Sequence, residues 1–93
     1  MAYKGWEMPE VKVKFVSLIR DYTGVKETTI NIPKGAKLKD LISILEERFP
    51  GLKKIKEKRI NIIVLADGQT VHEDSQDISV YKKIVLLPPA SGG

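Results

Sequence analysis

The residues best suited to chemistry are the last eight, LLPPASGG, which end on the carboxylate of Gly93. Gly92 and Gly93 have no Cβ, so their backbone can pass through a narrow channel and adopt torsions closed to other residues. The stretch from Ala90 to Gly93 extends about 13 Å at most, and Pro88 and Pro89 stiffen its base. A frayed terminus is the alternative interpretation. The pattern favours a terminus that carries its carboxylate on a slim stalk.

Other reactive groups are scarce in this sequence. It has no Cys, which excludes disulfides, thiolate metal sites and a cysteine nucleophile. The single His72 lies near Asp74 and Ser75 in the sequence. One histidine cannot build a metal site unaided, and we interpret this one as an ordinary loop residue. We therefore expect no bound cofactor and no metal, and we look for reactivity at the C-terminus.

Length and composition indicate a single soluble globular domain. The chain has 93 residues, of which 42% are hydrophobic and 30% are charged, enough for one compact core. No apolar run approaches the roughly 18 residues that a membrane span requires. The first nine residues, MAYKGWEMP, do not resemble a secretory signal. We therefore expect a cytoplasmic protein without a membrane partner.

The net charge of +4 is concentrated in the run KKIKEKR, from Lys53 to Arg59. A nucleic-acid-binding patch is one interpretation of such a run. However, Glu57 interrupts it, and no aromatic residue lies within it to stack on bases. We interpret the run as a solvated connection and expect no direct nucleic-acid partner.

Two strands are predicted in the first third of the chain. Val11, Val13 and Phe15 alternate with lysines, which is the period of a strand with one covered face. The following RDYTGVKE contains Gly24 and indicates a turn or a short helical piece. TTINI alternates again, and Pro33 closes that second strand.

A helix is predicted next, because the apolar residues now recur with a period of about 3.6. They form one stripe: Leu38, Leu41, Ile42, Leu45 and Phe49. Pro50 disfavours helical geometry at the residue before it, so the helix should end near Arg48. Its beginning is poorly marked, since neither Ala36 nor Lys37 is a good N-cap.

The remaining strands lie in the C-terminal third. The sequence predicts a third strand from Ile60 to Leu65, a tight turn at Asp67 and Gly68, and a short return strand around Thr70 and Val71. A last strand runs from Lys83 to Leu87, where the two prolines end it. This order predicts an α+β fold, with one main helix packed on one face of a small mixed sheet.

One helix can cover only one face of that sheet, yet the third and last strands are apolar in both phases. Ile63, Leu65 and Leu87 therefore need either a cover or a partner. The cover would be the N-terminal segment, where Tyr3, Trp6 and Met8 have no other evident role. A partner-binding surface is the alternative, and both remain open at this point.

Three stretches resemble a known family: VKVKFVSLIRDYTG, LKDLISILEERFPGL and the Pro-Pro-Ala-Ser-Gly-Gly terminus. They are similar to the β-grasp, ubiquitin-like sulfur carriers. This group includes the molybdopterin synthase small subunit (molybdopterin converting factor subunit 1), the thiamine-biosynthesis carrier, the ubiquitin-related modifiers and the archaeal small modifier proteins. The terminus is most similar to the molybdopterin synthase small subunit, because the thiamine carrier lacks the proline pair. The sequence departs from the family pattern at two places, both in loops. Lys37 replaces a Ser or Thr cap, and Tyr81-Lys82 replaces an Asp-Gly turn.

The resemblance implies a domain layout and a chemistry. It implies an N-terminal segment over residues 1–9, a β-grasp domain over 10–89 and a flexible tail over 90–93. A free carboxylate is a poor electrophile, so an adenylyltransferase of the ubiquitin-activating type would use ATP to join Gly93 to AMP. A sulfur donor would then displace AMP and leave a terminal thiocarboxylate. The chain would be a carrier and not an enzyme.

The resemblance also implies partners and leaves alternatives. A molybdopterin synthase large subunit would supply the active site in which sulfur is delivered to molybdopterin, with this chain as the non-catalytic small subunit. The residues expected to contact partners are Ile63, Leu65, Leu87, Pro88, Pro89, Ala90 and Ser91. In a second interpretation the activated tail is joined to lysines of target proteins or donates sulfur for tRNA thiolation. In a third, the chain is a passive interaction module and its tail is incidental.

Overall fold

The computed structural model describes residues 8–89. In chain order the elements are β1 (Glu10–Phe15), α1 (Leu18–Thr23), β2 (Glu27–Asn31), α2 (Leu38–Arg48), α3 (Gly51–Glu57), β3 (Ile63–Ala66), β4 (Gln69–Val71) and β5 (Lys83–Leu87). The strands form one sheet in the order β2-β1-β5-β3-β4. Only the central pair, β1 and β5, is parallel within this sheet. This is the β-grasp arrangement, and the expected α+β class is confirmed.

The two predicted strands at the start of the chain are confirmed, and so is the short helical piece between them. Val11, Val13 and Phe15 of β1 are almost completely buried, while the lysines between them are exposed. The turn after α1 uses Gly24 in a left-handed conformation, with φ of 82°. Antiparallel pairing then places Val13 opposite Thr28 of β2.

Helix α2 ends at Arg48, as predicted, and buries the expected stripe. Leu41 and Leu45 are fully buried, whereas Ile42 and Phe49 are partly buried against the same core. The Phe49 ring meets the Phe15 ring of β1 edge to face, with 5.3 Å between ring centroids. The missing N-cap is compensated by the Asp40 carboxylate, which accepts the backbone N–H of Lys37 at 2.9 Å.

The interpretation of KKIKEKR as a mere connection is wrong, because most of the run belongs to α3. Leu52 and Ile55 are three residues apart and both bury against the core, while the lysines of the helix are exposed. A helix of seven residues is too short to show a clear period in the sequence. It forms because packing holds it.

Gly51 is required where α3 approaches α1. A Cβ built at this position would overlap the backbone carbonyl of Tyr22 in α1. The two helices are linked a second time where the Lys58 ammonium lies over the Tyr22 ring, 5.6 Å from its centroid. The absence of a side chain at Gly51 therefore sets the distance between the helices.

The third strand begins later than predicted, at Ile63 instead of Ile60. The preceding residues cap α3: Arg59 N–H donates to the Lys56 carbonyl, and Ile60 N–H donates to the Ile55 carbonyl. With Arg59 at a φ of 59°, this is a Schellman motif. Ile60 and Ile62 are partly buried against the core from outside the sheet, which explains why the apolar run looked like strand.

The predicted hairpin turn is confirmed. Asp67 and Gly68 have φ of 47° and 87°, as a two-residue turn between β3 and β4 requires. The Asp67 carboxylate also accepts the backbone N–H of Lys82 and of Lys83, the latter at 2.9 Å. One side chain thus ties the hairpin to the beginning of β5.

The question of the second sheet face is answered in part. The helices cover one face, and the other is open among residues 8–89. Tyr3 and Trp6, two of the three residues expected to cover it, lie outside the described residues. The third, Met8, is 46% exposed. Within the described range, none of the helices is both long and apolar enough to traverse a bilayer.

Candidate functional site

The tail leaves from the middle of the sheet. β5 lies between β1 and β3, and its last residue, Leu87, is followed by Pro88 and Pro89. Pro88 is half-buried and Pro89 is exposed. Neither proline can donate to a neighbouring strand, so the ladder must stop here. The predicted site residues Ala90, Ser91, Gly92 and Gly93 lie outside the described residues, and their roles stay predictions.

An apolar patch on the open face leads up to the tail. We define the open-face patch as Ile63, Leu65, Val85 and Leu87, which alternate with the buried residues of β3 and β5. Pairing places Ile63 opposite Leu87 and Leu65 opposite Val85. All four are half-buried. The structure therefore brings together the three apolar residues predicted to contact a partner, and it adds Val85.

Val85 was missing from the predicted contacts, although its signal was present in the sequence. It stands two residues before Leu87, in the same phase of the strand, so it shares that face. Pairing with β1 places Val85 beside Lys14, and Lys83 beside Lys12. The patch thus has lysines along one border.

The rest of the open face is polar. β1 contributes Glu10, Lys12 and Lys14 there, and β2 contributes Glu27, Thr29 and Asn31, all exposed. Lys12 and Glu27 approach within 3.7 Å, with both side chains about half exposed. Such a pair contributes only about 0 to 1 kcal/mol. The open face therefore has an apolar half beside the tail and a polar half away from it.

A groove lies at the base of the tail. We call it the tail-root groove. It has a volume of about 600 Å³ and is lined by Val16, Ser17, Leu18, Ile60, Leu87, Pro88 and Pro89. It joins the open-face patch through Leu87. Sequence reasoning missed this groove because Ile60 was placed in a strand, and because nothing in the sequence marks Arg59, which is not a glycine, as left-handed.

Asp77 lies in the loop before β5, at the opposite end of that strand from the tail. A hydrogen bond from the Ser79 hydroxyl, followed by one from the Ser79 backbone N–H, lowers the pKa of Asp77. The Ser79 oxygen in turn accepts the backbone N–H of Gly35, beyond the end of β2. This network fastens the loop before β5 to the start of α2 and does not reach the tail.

The other candidate groups do not assemble into a reactive centre within residues 8–89. His72, Asp74 and Ser75 are all exposed, and no hydrogen bond joins their side chains. In the same range, no three His, Asp or Glu side chains are placed to hold a metal ion. The arrangement that remains is a stable body presenting an apolar patch, a groove and a proline-stiffened terminus.

A β-grasp body with a terminus rising from its central strand is the architecture of a ubiquitin-like carrier, and family comparison agrees. The model of the ThiS family matches residues 13–93, and the chain belongs to this family. The chain is 31% identical over 87 residues to the molybdopterin synthase sulfur carrier subunit of Homo sapiens, covering 90% of this chain and 94% of that protein.

Two solved structures extend the comparison. A putative molybdopterin converting factor, subunit 1, from Pyrococcus furiosus superposes with a TM-score of 0.69 at 26% identity, covering 88% of this chain and 99% of that one. The small archaeal modifier protein 1 of Methanosarcina acetivorans superposes with a TM-score of 0.68 at 27% identity, covering 92% and 98%. The recognition made from the three sequence stretches is confirmed.

Proposed function

We propose that this chain is a sulfur carrier that donates sulfur in molybdopterin biosynthesis, as the non-catalytic small subunit beside a larger partner. The observation that carries the proposal is the terminus of a ThiS-family chain, PPASGG, leaving the central strand next to an open apolar patch. Relatives named as molybdopterin synthase sulfur carrier subunits support the same acceptor.

The proposed chemistry takes place at Gly93. An activating enzyme joins the Gly93 carboxylate to AMP, with ATP as the co-substrate and pyrophosphate as the leaving group. Sulfide delivered by a sulfur donor then attacks the carbonyl, the bond from the carbonyl carbon to the phosphate oxygen breaks and AMP leaves, which gives the thiocarboxylate. This chain supplies the acyl group and the surface that docks; it supplies no acid, base or metal to either step.

The open-face patch supports a role in docking. Four half-buried apolar side chains beside the exit of the tail can anchor a partner while the stalk, about 13 Å long at most, reaches a recessed site. Two sequential partners, the activating enzyme and the large subunit, would use the same patch in turn, because each must accept the same tail. The adenylyltransferase and the large subunit are both part of this proposal.

Mass spectrometry of the protein from its native cells tests the sulfur-carrier proposal. We expect a fraction of the chain to carry one sulfur in place of one terminal oxygen at Gly93. Gly92→Val should abolish adenylation, because its branched side chain cannot follow the path of a glycine. Ser75→Ala, in an exposed loop, is the control and should be adenylated normally. Normal adenylation of Gly92→Val would contradict the proposal.

A second candidate function is protein modification, favoured by the likeness to the archaeal small modifier protein 1. In that case the activated tail is joined to lysines of target proteins. Mass spectrometry of the digested proteome from the same cells tests this function. Protein modification would yield peptides with lysines that carry a remnant of this tail. A thiocarboxylate without such remnants supports sulfur donation alone.

A further inference from the structure

The two prolines stiffen the base of the tail without deciding where it points. Each ring fixes φ of its own residue, but rotation about ψ of Leu87, Pro88 and Pro89 remains. The residue before a proline is restricted only to the extended region. The direction of the stalk relative to the body therefore depends on the side chains around Pro88 and Pro89, and these two prolines line the tail-root groove.

One wall of the groove is an extension of β1. The Val16 backbone N–H donates to the Leu86 carbonyl at 3.0 Å, which continues the pairing with β5 by one residue. Ser17 then turns the chain away with φ of 56° and ψ of −126°. This reversal leads into α1 and places Val16, Ser17 and Leu18 together along the base of the tail.

Ile60 also lines the groove, and a helix cap delivers it there. Arg59, at a φ of 59°, ends α3 in a left-handed conformation. The N–H of Ile60 then donates to the Ile55 carbonyl at 3.1 Å. Ile60 is thus fixed by the end of α3 and not by the sheet, since β3 begins three residues later.

Unusual backbone conformations occur at this groove and directly before one of its lining residues. Three non-glycine residues among 8–89 have positive φ: Ser17, Arg59 and Asp67. Asp67 belongs to the hairpin turn, which requires that conformation. Of the other two, Ser17 lines the tail-root groove, and Arg59, in the cap of α3, directly precedes Ile60, which also lines it. Unfavourable backbone conformations persist where the surrounding structure enforces them, and they cluster at functional sites.

We propose that Ile60 is a positioning residue for the C-terminal tail. It seats Pro88 and Pro89 against Val16, and so it sets the direction in which the stalk approaches the activating enzyme. This role rests on the proposed sulfur-carrier function. Ile60 does not take part in the chemistry at Gly93; it narrows the range of directions from which that carboxylate arrives.

The proposed contact between Ile60 and the two prolines is tested first in the free protein. In the NMR spectra of the full chain, we expect nuclear Overhauser contacts between the methyl groups of Ile60 and the ring protons of Pro88 or Pro89. The same prolines should contact Val16. This experiment requires no enzyme, and absence of the contacts would overturn the proposal.

Kinetics with the cognate activating enzyme and ATP test the positioning role. In Ile60→Ala the docking patch is intact, so KM for the carrier should stay within about twofold. The tail enters productively less often, so kcat should fall about tenfold. Ile60→Leu should restore most of the rate, because it refills the wall. Assays run where thermal unfolding curves show every variant folded.

Ile44→Ala is the matched control, because Ile44 is also a half-buried isoleucine and lies in α2, outside the groove. We expect kcat and KM close to those of the unchanged protein. An equal fall of kcat in Ile44→Ala, or an unchanged kcat in Ile60→Ala, would overturn the positioning role. A rise in KM alone would also overturn it, since that result makes Ile60 a docking contact.

Arg59 offers an independent pair of variants that change the backbone and not the groove itself. Arg59→Gly and Arg59→Val both remove the same charge. Glycine readily adopts the left-handed conformation, so kcat of Arg59→Gly should be unchanged. Valine is branched and disfavours that conformation, so kcat of Arg59→Val should fall, as in Ile60→Ala. Equal rates for the two variants would contradict the proposed placement of Ile60.

The two proposals fail in different ways. If the unchanged protein is not adenylated, the sulfur-carrier function fails and the positioning role fails with it. If the unchanged protein is adenylated and Ile60→Ala performs equally well, only the positioning role fails.

Discussion

The covered and the open face of the sheet differ in how completely they bury their apolar side chains. On the covered face, Phe15, Ile84 and Leu86 are at most 1% exposed and belong to one continuous core. On the open face, the apolar side chains of β3 and β5 are only half-buried. Val85 and Leu86 are neighbours in the chain, yet they belong to these two different environments.

This difference separates stability from recognition. Burying an aliphatic side chain contributes about 1.5 to 3 kcal/mol, so the covered face holds the fold together. A half-buried patch contributes less to folding, and its exposed apolar area can be buried when a partner binds. Substitutions on the covered face should change unfolding, and those on the open face should change binding. Four predictions test this separation, in order of decreasing effect.

Leu41→Ala should have the largest effect. Leu41 is fully buried in the core beneath α2, and removing its side chain leaves a cavity. We expect the free energy of unfolding to fall by about 2 to 5 kcal/mol, measured by chemical denaturation. Ser43→Ala, at an exposed position of the same helix, should change the free energy of unfolding by no more than about 0.5 kcal/mol. Equal stability of the two variants would contradict the assignment of the core.

Gly51→Ala tests the layer that covers the sheet. Alanine favours a helix over glycine by about 0.5 to 1 kcal/mol. The added methyl group would nevertheless overlap the Tyr22 carbonyl, and such overpacking typically costs about 1 to 3 kcal/mol. We expect a net loss of stability in thermal unfolding. Lys53→Ala, at an exposed position of the same helix, is the control. A gain in stability for Gly51→Ala would contradict this prediction, because it would show that α1 and α3 can move apart without loss of stability.

Leu65→Ala should spare the fold and weaken binding. Leu65 belongs to the open-face patch and lies opposite Val85. We expect about a tenfold loss of affinity for the proposed large subunit, equivalent to about 1.4 kcal/mol, measured by calorimetry. Thr29→Ala, on the polar half of the same face, should bind normally. A loss of binding in Thr29→Ala equal to that in Leu65→Ala would erase the distinction between the two halves.

The smallest effect is expected at Asp77, an exposed residue in the loop before β5. Its lowered pKa means that the ionised form stabilises the fold at neutral pH, and this contribution is lost as the pH falls through the folded-state value. Ser79→Ala removes the hydroxyl that holds the pKa down, so the pKa of Asp77 should rise toward its ordinary value in an NMR titration. Ser75→Ala should leave it unchanged. An unshifted pKa in Ser79→Ala would contradict the assigned cause.

Much of the fold and the identity of the working end could be predicted from local signals. The alternation in β1, the stripe of α2 and the Asp67-Gly68 turn each depend on residues within a few positions of one another. The chemistry at Gly93 was implied by the resemblance of the terminus to that of the sulfur carriers, and it stays a prediction because the end of the tail lies outside the described residues.

What the sequence by itself determined is therefore local: which face of a strand is apolar, where α2 ends and what the C-terminus resembles. Only the tertiary structure decided that α3 forms, that Ile60 leaves the strand to wall a groove, and that Ile63 lies opposite Leu87. The physical reason is distance along the chain. Periodicity reports contacts between neighbouring residues, whereas a short helix, a left-handed cap and a strand register depend on packing between segments far apart in sequence.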